Sequence, residues 1–176
     1  MHVVVIEPPE NVVSLEEARR ARAFTEGDDD EYVEELLEIA QSEIDGPGGW
    51  LGRSIGMQTL KATIVAGDEF FADVRADRLP YQPVTEILRN ELSADGCQRV
   101  VEYRAGQGFD DVPRRLKRAI ILMAAALKDA APDEGGFIKR KTVEGVGSRE
   151  YTLPNGAADK MKAAADSLLF SYWKIG

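Results

Sequence analysis

The stretch "AIILMAAAL", residues 119–127, carries no charge and lies inside a segment whose apolar residues recur at helical spacing. Leu116, Ile120, Met123 and Leu127 form one stripe, and from Ala119 to Leu127 all sides of the helix are apolar. Such a helix must be enclosed by other elements or by neighbouring subunits, because only burial removes that surface from water. It is too short to span a bilayer, which takes about 20 apolar residues. Small Ala124, Ala125 and Ala126 permit close approach of another helix. The chain is therefore expected to build its core around one central helix, from about Pro113 to Ala131. With 176 residues it suits a single domain, 1–176. The start "MHVVVIEPPE" shows no basic region before an apolar one and no small-residue cleavage site, so a soluble, unexported protein is expected.

The approach to that helix reads "VEYRAGQGFDDVP", residues 101–113, and two glycines before a helix raise the question of phosphate binding. A phosphate-cradling loop would need Gly-x-x-x-x-Gly-Lys-Ser/Thr, and a dinucleotide fingerprint would need a third glycine at the helix entrance. Here Asp110, Asp111 and Pro113 occupy that entrance. The aspartates would repel a phosphate, and proline, lacking an amide hydrogen, suits a first helical turn where that donor has no partner. The glycines are read as serving a turn.

Upstream, Ser14-Leu15-Glu16-Glu17 reads as a capping box for a short helix ending near Phe24. Asp28, Asp29 and Asp30 then cap a second helix on which Tyr32, Val33, Leu36, Leu37, Ala40 and Ile44 recur at helical spacing. "GPGG" at 46–49 ends it. From Gln58 the period changes to two, with Leu60, Ala62 and Ile64 opposite Thr59, Lys61 and Thr63, which marks a half-buried strand. Val84 to Leu92 and Arg99 to Tyr103 are two further strands joined by an Asp95-Gly96 turn. Residues 132–156 read as a loop or loose hairpin, and a last helix runs from about 157 to 174. The expected fold is α+β, mainly α: a bundle of about four helices with a small antiparallel sheet.

Cys97 is the only cysteine and His2 the only histidine, which removes disulfides within the chain, zinc clusters and Cys-His catalytic pairs. No nucleophile-base pair is recognisable, so no enzyme activity, catalytic residue, metal or cofactor is expected. The net charge of −9 is unevenly distributed: residues 1–50 carry −11, residues 51–112 carry −3 and residues 113–176 carry +5. The acidic part centres on Glu31, Glu34, Glu35 and Glu38 of the second helix, with no histidine or asparagine beside them to complete a metal site. Arg114, Arg115, Lys117 and Arg118 stand at the N-terminal end of the central helix, where its dipole disfavours cations. An acidic neighbour or nucleic-acid phosphates would retain them there, and a solvated turn is the alternative. Opposite ends of this kind favour head-to-tail association of copies.

On the last helix Met161, Ala164, Ala165, Leu168 and Tyr172 make a packing stripe, and Leu169, Phe170 and Trp173 widen the apolar arc beyond it. An arc that wide exceeds what one domain surface usually covers, so Leu168, Leu169, Phe170, Tyr172 and Trp173 are the candidate partner-binding residues.

Taken in order, "VVSLEEARRARAFTEGDDDEYVEELLEIAQSEI", "GRSIGMQTL", "LPYQPVTEI", "VEYRAGQGFDDVPRRLKRAIILMAAALKD" and "AADSLLFSYWKIG" resemble the head-tail connector, or adaptor, family of tailed bacteriophages and gene transfer agents. The resemblance extends from Val12 to the end. "DGPGGW" and a longer stretch at 133–150 depart from it. It implies a structural protein, made in the bacterial cytoplasm and placed at the head-tail joint of a virion or transfer particle. It further implies a homo-oligomeric ring, expected dodecameric, docked beneath the portal protein by the C-terminal segment. Such a ring extends the DNA channel and receives the tail or a stopper protein. The acidic second helix would then face double-stranded DNA in transit, with Arg114, Arg115, Lys117 and Arg118 at a subunit interface or on DNA phosphates. The alternative from another class is a small helical nucleic-acid-binding or regulatory domain that uses those same cations with the basic cluster Lys139, Arg140 and Lys141.

Overall fold

The computed structural model describes residues 1–69, 71–130, 141, 142, 148, 149 and 157–172. Its helical part begins at α1 (Leu15–Arg20). The Ser14 hydroxyl accepts the Glu17 amide hydrogen at 3.2 Å, and the Glu17 carboxylate accepts that of Ser14 at 3.1 Å. These reciprocal bonds satisfy two donors that the helix itself leaves free. α2 (Asp30–Ser42) is capped by Asp29, which accepts from the Tyr32 N–H at 3.1 Å. α3 (Arg114–Ala130) follows Pro113 and packs against both α2 and α4 (Ala157–Leu169). Val33, Leu36, Leu37 and Ala40 of α2 meet Leu116, Ile120 and Ala124 of α3, and Ala165 and Leu169 of α4 close the same core. The central helix is enclosed as its composition requires. Within 119–127, Ala119, Ile120, Ile121, Ala124 and Ala125 are buried, Leu122, Met123 and Ala126 are half-buried, and only Leu127 at the far end of that run is exposed.

Four strands form a second body: β1 (His2–Glu7), β2 (Gln58–Val65), β3 (Val84–Leu92) and β4 (Gln98–Ala105). They pair antiparallel in the order β1-β2-β4-β3. The period-two residues Leu60, Ala62 and Ile64 are fully buried on one face, beside Val101 and Tyr103 of β4. Half-buried Phe71, Val74 and Tyr81, with buried Leu79, cover that face from the 66–83 connection. Tyr103 donates its hydroxyl to the Pro80 carbonyl at 3.1 Å, and burial, followed by the Tyr81 charge, pushes its phenol well above the ordinary value.

The expectation of a helical bundle with a small sheet is therefore corrected. The fold is α+β with four helices and a four-stranded antiparallel sheet, and the sheet has its own apolar cluster, separate from that of the helices. The reason lies in two stretches. "HVVVIE" has no alternation and reads only as extended chain, yet it is β1. The 66–83 segment has too few apolar residues to read as a covering layer, yet it supplies one. Within 132–156, Lys141–Thr142 (β5) pairs antiparallel with Ser148–Arg149 (β6), and the rest of that expected loop lies outside the described residues.

A buried polar node joins the two bodies. Asp45, just past α2, accepts four hydrogen bonds: Ile55 N–H at 2.7 Å and Gln58 Nε2 at 2.8 Å on Oδ1, Gly56 N–H at 2.9 Å and Gln41 Nε2 at 3.0 Å on Oδ2. Gln41 also donates to the Glu10 carbonyl at 2.9 Å and accepts the Val12 N–H at 3.1 Å. The end of α2, the entry to β2 and the linker from β1 to α1 are thereby fixed together. Burial pushes the Asp45 carboxyl above its ordinary value, outweighing the four donors that lower it. Gly46 permits this closeness, because a Cβ there would lie 2.6 Å from Gln58 Oε1.

Candidate docking surfaces

The loop after β4 answers the phosphate question with geometry. Gly106 has φ +109°, and a Cβ on it would sit 2.0 Å from the Gly56 carbonyl oxygen. Its N–H donates to the Pro83 carbonyl at 2.8 Å, and that of Gln107 to the Ile55 carbonyl at 2.9 Å. These two amides, which an anion held by the glycine turn would need, are engaged by the chain itself, and the glycine serves a tight crossing between β2 and β4.

The four cations at the start of α3 divide into two pairs. Lys117 reaches Glu17 of α1 at 3.0 Å and lies 3.5 Å from the centroid of the Phe109 ring. Burial raises the Glu17 carboxyl, but the Ser14 N–H and Lys117 outweigh it and leave the group below its usual value. Arg118 donates to the Ala21 carbonyl at 3.2 Å. Both therefore fasten α1 to α3, which explains why cations persist at an unfavourable helix end. Arg114 and Arg115 remain exposed, with no partner among the described residues.

Glu31, Glu34, Glu35 and Glu38 all face outward from α2, as its buried side requires. Only Glu38 has a partner among the described residues, accepting from Asn11 Nδ2 at 3.1 Å. At the other end of α3, Lys128 meets Asp28 at 2.6 Å; this bond, with the Thr25 N–H, holds the Asp28 carboxyl down at about 2.

On α4 the buried positions are Ala165 and Leu169, both fully enclosed against the helical core, with Leu168 and Tyr172 half-buried beside them. Leu169 thus belongs to the domain's own interior. The helix then tightens into a 3₁₀ turn, Phe170–Tyr172, which leaves Phe170 73% exposed. That is the largest exposure among the large apolar side chains described. Trp173 lies outside the described residues. Leu169 anchors the turn and Phe170 presents its ring outward, an arrangement suited to holding a preformed aromatic contact.

Sequence reasoning missed the Asp45 node, although an acidic residue directly before "GPGG" signals a carboxylate able to accept amide hydrogens from a returning chain. Elsewhere, an open groove lies beside the sheet, where Glu86 meets Arg104 at 3.5 Å and Glu7 accepts the Thr59 hydroxyl. Among the described residues no three His, Cys, Asp or Glu side chains are placed to hold a metal ion, and no helix is long and apolar enough to cross a membrane.

Compared with protein-family models, with curated proteins and with solved structures, the chain matches none.

Proposed function

We propose that this chain is a structural adaptor of a head-tail joint, assembling as a ring beneath a portal in a phage or gene transfer agent, extending the DNA channel and receiving the tail or a stopper. The observation that carries the reading is Phe170, exposed on a turn whose neighbour Leu169 is locked in the core. A ring so mounted costs little entropy when a partner covers it, and aromatic anchors of this kind dominate protein interfaces. The order of the motifs from Val12 onward supplies the portal as that partner. Arg114 and Arg115, without partners among the described residues, are available to a neighbouring copy, and Glu31, Glu34 and Glu35, likewise without described partners, suit a surface that repels passing duplex. The nucleic-acid-binding alternative is weakened because Lys117 and Arg118 are engaged inside the molecule.

Removing the chain from Leu168 onward would disturb the core together with the docking turn, since Leu169 is part of both. Phe170→Ser separates the two. In co-sedimentation with purified portal rings, the unaltered chain is expected to bind and Phe170→Ser to bind at least tenfold more weakly, a loss of about 1.4 kcal/mol, typical of an interface anchor. Equal binding by a folded Phe170→Ser chain would remove Phe170 from the interface. Duplex DNA binding that weakens steeply with salt, without portal binding, would favour the other class.

A further inference from the structure

The two edges of the sheet are built differently. β3 is broken by two register irregularities, between Val84 and Glu86 and between Ile87 and Arg89, and carries Glu86, Arg89 and Glu91 along its length. Bulges and charges are the devices that keep an edge from pairing with another strand. β1 carries no charge over Val3–Ile6, and its single irregularity falls toward its end, at Ile6 between Val5 and Glu7, so that its pairing is regular over His2–Val5. A run of four β-branched apolar residues is the pattern of a strand covered on both faces. Here Val4, Val5 and Ile6 are instead 40%, 44% and 47% exposed.

We infer that the outer edge of β1, with which no described strand pairs, joins β1 of a second copy, antiparallel about a twofold axis beside Val4. Residues directly opposite in an antiparallel pair share a face, so Val4 meets Val4 and Val3 meets Val5. The irregularity after Val5 turns Glu7 to the face of Thr59, which is also the face of Thr63 and of its partner His2. Counted through the bulge at Ile6, His2 of each copy comes opposite the Ile6–Glu7 pair of the other, which sets an apolar centre between two polar ends of complementary character. β3 of another copy offers a poorer match, because two irregularities fall within it where β1 offers regular chain over His2–Val5. The product is a continuous eight-stranded sheet. A six-residue strand buries less surface than most stable dimers, so the pairing is weak and concentration-dependent. A twofold contact has no place inside one cyclic ring; this pairing belongs to the free protein and is independent of the portal reading.

The test is sedimentation equilibrium of the full chain from micromolar to near-millimolar concentration, with Val4→Glu and Val4→Thr beside it. Val4 already faces Lys61 within its own chain, so Val4→Glu gains a cross-strand partner there while setting two carboxylates opposite each other at the axis. The chain is expected to shift from 19.4 kDa toward twice that mass as concentration rises. Val4→Thr should follow it, and Val4→Glu should raise the dissociation constant at least tenfold while keeping the same circular dichroism. A chain that stays monomeric throughout, or a dimer indifferent to Val4→Glu, overturns the inference. Deuterium uptake at the β1 amides, falling as concentration rises, would place the contact on this edge; uptake independent of concentration would remove it.

Discussion

Asp45 shows how much one side chain can set. Each of its oxygens accepts two hydrogen bonds, and the donors come from α2, from the turn into β2 and from β2 itself. Asp45→Asn would put an amide donor against the N–H of Ile55 or of Gly56, leaving buried groups without acceptors. A buried network broken in this way costs about 2–4 kcal/mol. Urea denaturation followed by circular dichroism should show that loss as a lower midpoint. Lys117 acts similarly at longer range: it joins Glu17 to α3 across 100 residues of sequence. Its charge was visible in the sequence, but its partner was not, because nothing local links position 17 to position 117.

Among the elements, those with a clean period were legible and those without one were not. The capping box at Ser14, the cap at Asp29, the alternation from Leu60 to Ile64 and the apolar run of α3 each declare a local geometry that packing then keeps. β1 escaped because a uniform apolar run carries no phase. α4 was legible in type but not in rotation. A wheel at 100° per residue centres its packing stripe on Met161, Ala164, Ala165, Leu168 and Tyr172, whereas Ala164 is exposed and Leu169 is fully buried. The 3₁₀ turn from Phe170 advances about 120° per residue, so the phase set by the α-helix no longer applies there. This division predicts unequal costs. Leu169→Ala should destabilise by about 2–4 kcal/mol through the cavity it leaves, while Phe170→Ser should stay within about 0.5 kcal/mol of the unaltered chain. Chemical denaturation of the two variants side by side checks it, and equal losses would mean that Phe170 is held by its own fold.

For the molecule as a whole, the sequence overstated the helices and understated the sheet, because local pattern does not show which elements share a core. Two apolar clusters, joined through a polar node, make a body with several outward-facing features that contacts among the described residues leave unsatisfied: the ring of Phe170, the Arg114–Arg115 pair and Glu31, Glu34 and Glu35 of α2. A single account covers them if the chain is a part completed by assembly. Native mass measurement of purified portal rings mixed with excess chain tests this most directly. The account predicts that each portal ring gains a fixed whole number of 19.4 kDa chains, as many as close a ring upon it. Portal rings of unchanged mass beside unbound chain would contradict it.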